Sequence, residues 1–282
     1  MVDKTGTAYG PIVIAAGEYR LPEGRRLVSD NLAAAMLPGT MRWIVGPAPL
    51  RRLLMSMTDR EASGLWNSIA CRKRYFDDRL AEATDEGIEA VVLLGAGFDT
   101  RGYRMAAPRG IPVYEVDMAV NLDAKRKRMP VPVNVVQVPI DFETDDLGTM
   151  LAARGHRPEA RTLFVWEGVT QYLTEPAVRA TLRFLSTAAS GSRLGFTYVP
   201  RDFLDGTESY GAARAHRRFV QRRDPIWTYG LSPAEVEPLL AEYGWQLREQ
   251  VDAAGHTKRY LEPLGRPGPV SDIERCVYAA KL

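Results

Sequence analysis

The strongest indication of the fold is the sequence Leu93-Leu94-Gly95-Ala96-Gly97-Phe98-Asp99-Thr100-Arg101. It begins inside an apolar run, 90–94, whose aliphatic and β-branched side chains are typical of a buried strand. The two glycines let the backbone turn sharply and come close to a ligand where that strand ends. Because open α/β sheets bind nucleotides at this edge, the sequence predicts a strand followed by a nucleotide- or nucleoside-binding loop.

Short apolar segments alternate with helix-like segments on the C-terminal side of this strand. Such alternation is typical of a parallel sheet with helices on both faces. The sequence therefore predicts an α/β fold with a doubly wound, Rossmann-like sheet. The predicted strands are 90–94, 112–116, 131–140, 162–166 and 194–199, and the predicted helices are 99–105, 119–129, 143–153 and 175–189.

The chain is predicted to form an N-terminal helical cap, 1–87, and a ligand-binding domain, 88–282. Helices are expected in the cap at 27–37 and within 50–83, where apolar residues recur at helical spacing. After the fifth strand, the segment 201–230 is polar, basic and aromatic. An insertion at this edge of the sheet is expected to act as a lid over the site.

Beyond the lid, the sequence predicts a capped helix and two closing strands. Ser232 and Glu235 are spaced as a capping box, and Gly244 is expected to end the helix. The strand-like segments 245–251 and 273–280 follow without a long helix between them. We therefore predict an antiparallel hairpin at one edge of the sheet.

The composition is that of an ordinary globular protein. The chain has 282 residues, of which 45% are hydrophobic and 26% charged, and its net charge is +2, so no global field attracts nucleic acid or acidic membranes. The longest uncharged apolar run, 90–98, is about half of the length that a membrane-spanning helix needs. With no secretory pattern in residues 1–6 and only two distant cysteines, Cys71 and Cys276, we expect a reduced, cytoplasmic protein.

Two carboxylates indicate which ligand the glycine loop binds. Glu115 and Asp117 lie on the second strand, 18 and 20 residues after Gly97, where an acid accepts ribose hydroxyls. A dinucleotide would favour a third glycine where Thr100 stands, and Asp99 places negative charge where a diphosphate would lie, although it also suits a helix N-cap. These residues favour a nucleoside without phosphate, such as S-adenosylmethionine, over NAD.

Three motifs, in this order along the chain, resemble those of the leucine carboxyl methyltransferase family. They are Leu94-Gly95-Ala96-Gly97-Phe98-Asp99-Thr100-Arg101, Tyr114-Glu115-Val116-Asp117 and Trp166-Glu167-Gly168-Val169-Thr170-Gln171-Tyr172-Leu173. The resemblance extends from about residue 27 to the C-terminus. It implies an S-adenosylmethionine-dependent O-methyltransferase that acts on polyketides and other small acids or on the carboxyl terminus of a protein phosphatase. The segment before residue 27 and the lid depart from the family pattern.

The resemblance also implies a cofactor site. Without the resemblance, Arg72 would be interpreted as a solvated charge, because it lies in the basic run 72–74. Glu167 follows an apolar strand, where a carboxylate loses water and needs a partner. The implied contacts are Arg72 with the methionine carboxylate, Gly95, Ala96 and Gly97 with the methionyl part, Asp117 with the ribose, Asp141 and Phe142 with the adenine, and Glu167 with the cofactor amino group.

The acceptor end is a hypothesis built on the lid. Methyl transfer is an in-line displacement, in which a carboxylate nucleophile needs only anchoring whereas a phenol also needs a base. We hypothesise that the lid presents an anionic aromatic substrate to the methyl group, and that a subset of five residues contacts this substrate. Each of the five could instead be a packing residue. They are Tyr172, Tyr198, His216, Trp227 and Tyr229.

Other readings are weighed against a small-molecule O-methyltransferase. A protein carboxyl methyltransferase would need a groove for a chain terminus, and a non-catalytic cofactor-binding partner protein finds no support in the intact motifs. The basic runs 214–223 and 125–128 are expected to be solvated helix faces, so we predict no nucleic-acid binding. Asp145 and Asp146 lack a nearby asparagine, so we predict no metal. The chain is expected to be a monomer or a homodimer.

Overall fold

The computed structural model describes residues 9–220 and 226–282, apart from the side chains of residues 215 and 218–220. The predictions about residues 1–6 and about the last part of the basic run, 221–223, lie outside the described residues. Seven strands occur in the described part. They are β1 (Ala90–Leu94), β2 (Val113–Asp117), β3 (Val135–Pro139), β4 (Thr162–Trp166), β5 (Arg193–Tyr198), β6 (Trp245–Val251) and β7 (Arg275–Lys281).

All seven strands belong to one sheet, in the order β3-β2-β1-β4-β5-β7-β6. Strands β1 to β5 pair in parallel, which is the arrangement predicted from the alternation of strands and helices. The strand β7 runs antiparallel between β5 and β6. The predicted α/β doubly wound sheet with an antiparallel C-terminal pair is therefore confirmed. The connection between β6 and β7 also contains helical turns over 253–264, which were not predicted.

Helices cover both faces of this sheet. None of those in the described part combines the length and the apolar character that crossing a bilayer requires. They are α1 (Tyr9–Tyr19), α2 (Gly39–Val45), α3 (Ala48–Glu61), α4 (Leu65–Asp85), α5 (Ala119–Arg126), α6 (Leu147–Ala152), α7 (Glu175–Leu185), α8 (Arg201–Leu204), α9 (Ala213–Val220), α10 (Val236–Glu242) and α11 (Ala253–His256).

The N-terminal helices differ from the prediction. The segment 27–37 forms only a short 3-10 turn, Ala33–Met36, and α1 was missed. The segment 50–83, predicted as one longer or broken helix, is the broken form: two helices, α3 and α4, separated at Gly64. Gly64 has a φ of 75°, and a Cβ there would lie 2.7 Å from the carbonyl oxygen of Pro269. The break therefore follows from a left-handed residue that packs against the C-terminal loop.

The helix α4 positions the later site because it packs tightly on the sheet. Phe76 and Leu80 are fully buried in the core on this face. Gly195 of β5 leaves room for this contact, since a Cβ there would lie 2.7 Å from Cε1 of Phe76. The opposite face is covered mainly by α7 and α10. Ahead of α10, the predicted capping box is confirmed, with the Ser232 amide donating to Glu235 Oε2 at 2.7 Å.

Candidate functional site

A cavity of about 680 Å³ lies at the carboxyl ends of β1 to β4. Its volume is within the range of roughly 300–1,000 Å³ that is usual for small-molecule sites. Loops after the four strands form its floor, and residues of α1, α4 and the segment 226–227 form its walls. All of the predicted cofactor residues line it, namely Arg72, Gly95, Ala96, Gly97, Asp117, Asp141, Phe142 and Glu167.

The glycine loop after β1 has the backbone conformation that the sequence indicated. Gly95 and Gly97 have φ values of 72° and 44°, in the left-handed region. A Cβ at residue 95 would overlap Cγ2 of Val169 in the loop after β4. The Gly97 amide donates to Asp117 Oδ2 at 2.6 Å. Glycine at 95 therefore lets two loops meet at the cavity floor, and the strand β2 holds the turn in place.

Asp117 is held rigidly at the end of β2. Its Oδ2 accepts from Gly97, and its Oδ1 accepts from the Met118 amide at 2.7 Å and from Asn121 Nδ2 at 2.6 Å. Burial raises the pKa of Asp117, although these donors lower it in part. Three of about four acceptor positions of the carboxylate are used, which leaves about one for a donor from a ligand.

Glu115 does not share the cavity with Asp117, which corrects one expectation from the sequence. It lies two residues before the strand end, where the helix α5 covers it, and its Oε1 accepts from Lys125 Nζ at 2.5 Å. Lys125 also donates to the carbonyl oxygen of Asp99. Both side chains are 0% exposed. The prediction that 125–128 is a solvated helix end was therefore wrong for Lys125, and Arg128 also turns inward, with its guanidinium 4.5 Å from the ring centre of Phe98.

Glu167 is the centre of a buried network of charges after β4. Its Oε1 accepts from Arg72 Nε at 2.9 Å, and its Oε2 accepts from Arg101 Nη1 at 2.6 Å. Lys73 Nζ lies 4.0 Å from Oε1. Burial alone would raise the pKa of Glu167, but the charges of Lys73, Arg101 and Arg72 lower it well below its usual range. Glu167 therefore stays ionised at the cavity wall.

Asp99 combines the two roles that the sequence left open. Its Oδ1 accepts from the Arg101 amide at 2.8 Å, which is the local bond of a capping residue. Its Oδ2 lies 2.6 Å from Arg101 Nη1, and the side chain also lines the cavity. Burial alone would raise the pKa of Asp99, but Arg101 and Lys73 lower it overall. Asp99 therefore brings an ionised carboxylate to the cavity in the loop that follows β1.

Tyr172 and Trp227 are the two predicted acceptor residues that line the cavity, with ring centres 6.4 Å apart. The other three do not reach it. Tyr198 is fully buried and donates to Gln250 Oε1 at 2.9 Å.

His216 and Tyr229 are corrected to packing roles together with Tyr198. His216 packs on Phe203, and its Nε2 lies 2.9 Å from the Phe203 carbonyl oxygen. Tyr229 is buried in the core beside β5. None of these three residues is among those that line the cavity.

Comparison with known proteins identifies the family. The sequence profile described as leucine carboxyl methyltransferase matches residues 8–186. The chain belongs to this family. A Streptomyces avermitilis protein, provisionally named an S-adenosyl-L-methionine-dependent methyltransferase, is 36% identical over 247 residues, which are 81% of each chain. A similarly named Mycolicibacterium smegmatis protein is 32% identical over 251 residues, 85% of this chain and 82% of the relative.

Solved structures of low sequence identity share the fold of this leucine carboxyl methyltransferase family member. The crystal structure of a provisionally named methyltransferase from Thermobifida fusca has a TM-score of 0.62 at 18% identity, and covers 88% of this chain and 92% of that one. A crystal structure of a DUF574 family protein from Streptomyces avermitilis has a TM-score of 0.59 at 16% identity, and covers 85% and 94%. The resemblance inferred from three motifs is thus confirmed at the level of family and fold.

Some cavity residues of this family member escaped sequence analysis. Phe203, from the short helix α8, and the pair Ile273 and Glu274, just before β7, all line the cavity. Because β7 is antiparallel to β5, its first residues lie at the edge where the parallel strands end. The antiparallel direction of β7 could have indicated that Glu274 lies at the cavity. No local motif in the predicted strand 273–280 pointed to this residue.

Proposed function

We propose that this chain is an S-adenosyl-L-methionine-dependent methyltransferase that methylates an oxygen of a small carboxylate or hydroxyl acceptor. The observation that carries the proposal is the charge of the cavity wall, which among the described residues holds seven carboxylates and two basic side chains. A ligand with a sulfonium and an ammonium group suits this wall, whereas a diphosphate does not. The carboxylates are Glu61, Asp99, Asp117, Asp141, Glu143, Glu167 and Glu274, and the basic residues are Arg72 and Lys73.

The residues at the cavity floor fit this cofactor. Asp117 would accept from the ribose, and the turn at Gly95 and Gly97 would lie under the methionyl part. Glu167, kept ionised by its neighbours, would face the ammonium group, and Arg72 would pair with the carboxylate. When bound, S-adenosyl-L-methionine supplies a methyl group on a positively charged sulfur.

The chain contributes alignment and exclusion of water to the reaction. Apolar side chains also line the cavity, among them Ile69 of α4, Phe203 of α8 and Trp227 of the segment 226–227. Such walls orient an acceptor for in-line attack and keep competing water away. The aromatic members favour a flat acceptor of the aromatic or polyketide type.

A protein carboxyl terminus is the second candidate acceptor, and the description of the matching family supports it. The volume of the cavity supports the small acceptor instead, because about 680 Å³ has to contain both the cofactor and the accepting group. A methylation assay separates the two candidate acceptors. The enzyme and the methyl donor are incubated with peptides that end in leucine, or with small acids and phenols, and the methylated products are measured. Methylation of the peptides alone would overturn the small-molecule proposal.

Calorimetric titration tests the cofactor. We expect S-adenosylhomocysteine to bind and NADH not to bind. Replacing Asp117 by alanine should weaken that binding at least about tenfold, because a hydrogen bond to a charged group is lost. The matched control is Asp123→Ala, an exposed carboxylate of the helix α5 that follows β2, which should leave the affinity unchanged. Tight binding of NADH with no binding of S-adenosylhomocysteine would refute the proposal.

A further inference from the structure

Two side-chain oxygens of residues that line the cavity, Gln171 Oε1 and Glu274 Oε1, have no hydrogen-bond donor among the described residues, and that of Glu274 belongs to a carboxylate. Glu274 lies just before β7, and its Oε2 accepts from Arg72 Nη1. Its Oε1 is buried and has no partner in the described part of the chain, while the whole side chain is only 13% exposed. Leaving a buried carboxylate oxygen unpaired is costly, so such an atom in a ligand cavity marks a place for a donor from the ligand.

The surroundings of Glu274 are apolar and aromatic. Ile273, adjacent in sequence, is buried and packs with Phe203 in one small core cluster. The rings of Phe203 and Trp227 are 5.8 Å apart, and all of these residues line the cavity. A ligand that reaches Glu274 therefore passes an aromatic wall, which suits a planar ring that carries the donor.

The charges near Glu274 disfavour an anionic acceptor. The two basic side chains of the wall would have no further capacity for an anion once the cofactor is bound. Arg72 bonds to Glu167 and Glu274 and would also pair with the carboxylate of the cofactor, and Lys73 lies 4.0 Å from Glu167. A second carboxylate placed beside Glu274 would meet like charge in a poorly hydrated site. A neutral hydroxyl would instead satisfy the unpaired oxygen.

We propose that Glu274 is a catalytic residue that accepts the hydrogen bond of the acceptor hydroxyl, and that the acceptor is a neutral phenol. This inference rests on the proposed function. As the phenol oxygen forms its bond to the methyl carbon, the carbon–sulfur bond of the donor breaks and its electron pair stays on sulfur. The O–H bond breaks in the same process, and Glu274 Oε1 takes the proton. Arg72 holds the other carboxylate oxygen and so fixes the direction of Oε1.

The experiment uses the full-length protein, S-adenosyl-L-methionine and paired probes, 4-propylphenol and 4-propylbenzoic acid, with S-adenosylhomocysteine formation as the readout. We expect the phenol to be methylated at least about tenfold faster. Glu274→Gln keeps the shape and can still form a hydrogen bond but cannot take the proton, so kcat for the phenol should fall by about 10²–10⁴ while KM changes little. Glu237→Gln, on the exposed face of α10, is the control and should behave as the wild type.

Two binding measurements keep the outcomes separate. Calorimetry with S-adenosylhomocysteine should show a change of less than about threefold in Kd between wild type and Glu274→Gln, and no binding to the wild type would refute the proposed function itself. Titration of both probes into the cofactor-loaded protein should show binding of the phenol. Faster methylation of the benzoate, a variant that retains more than a third of the wild-type kcat, or failure of the phenol to bind would each overturn the role of Glu274.

Discussion

The buried pair of Glu115 and Lys125 gives the sharpest prediction about stability. Both side chains are fully buried, and Lys125 Nζ is the close partner of Glu115 Oε1. In a Lys125→Met variant, Glu115 keeps a donor in Gln137 Nε2 at 3.4 Å, which is at the edge of hydrogen-bonding distance and carries no charge. Breaking a buried pair in this way costs about 3–5 kcal/mol of unfolding free energy, because the remaining charge is uncompensated.

Equilibrium unfolding in urea, followed by circular dichroism, measures this loss. Arg126→Met is the matched control, since its exposed ion pair with Asp123 on the same helix should contribute less than about 1 kcal/mol.

A double variant, Glu115→Leu with Lys125→Met, distinguishes the cost of the uncompensated charge from the loss of the other contacts of these two side chains. It removes both charges and should be at least about 2 kcal/mol more stable than Lys125→Met alone. It should still fall below the wild type by about 1–3 kcal/mol, because the Asp99 carbonyl loses its donor. A loss below about 1 kcal/mol in Lys125→Met, or additive losses in the double variant, would refute the reasoning.

Three other perturbations test parts of the structure outside this pair. Gly95→Ala should abolish S-adenosylhomocysteine binding in calorimetry, because a Cβ at this left-handed residue overlaps Val169; unchanged affinity would contradict the loop geometry. Burial lowers the pKa of His256 to about 4, below its unfolded value of about 6.5. The stability that the neutral His256 side chain contributes is therefore complete above pH 6.5 and decreases by about 2 kcal/mol on going to pH 5. In urea titrations, the free energy of unfolding should therefore differ less between pH 7 and pH 5 for His256→Leu than for the wild type. Glu18→Gln should destabilise the fold by about 3 kcal/mol in urea, because the fully buried carboxylate pairs with Arg266 at 2.7 Å, and a loss below about 1 kcal/mol would contradict that role.

The parallel sheet was predictable from sequence because its signals are local. Strands buried on both faces form short aliphatic runs, and β1 and β4 were placed with their observed bounds. The turn at Gly95 and Gly97 follows from the conformational freedom of glycine, which needs no knowledge of distant residues. The family resemblance then gave the predicted cofactor residues, and all of them line the cavity.

The residues that were misplaced depend on contacts far apart in the sequence. Lys125 follows a pattern typical of a solvated helix end, and only its burial over Glu115 makes it a core charge. Tyr198 and His216 carry the chemistry of an acceptor site but are held by Gln250 and Phe203, which no local pattern reveals. Glu274 was missed for a related reason, because its place at the cavity depends on the direction in which β7 runs beside β5.

The position of β7 sets the order in which the molecule can be completed during synthesis. Because β7 lies between β5 and β6 but follows both in the sequence, those two strands lack their shared neighbour until residues 275–281 have left the ribosome. Until then the backbone edge of β5 is unpaired, and such an edge readily associates with other chains. Glu274 directly precedes β7 and is synthesised with it. A nascent chain that lacks this segment therefore has neither the complete seven-stranded sheet nor the complete cavity wall.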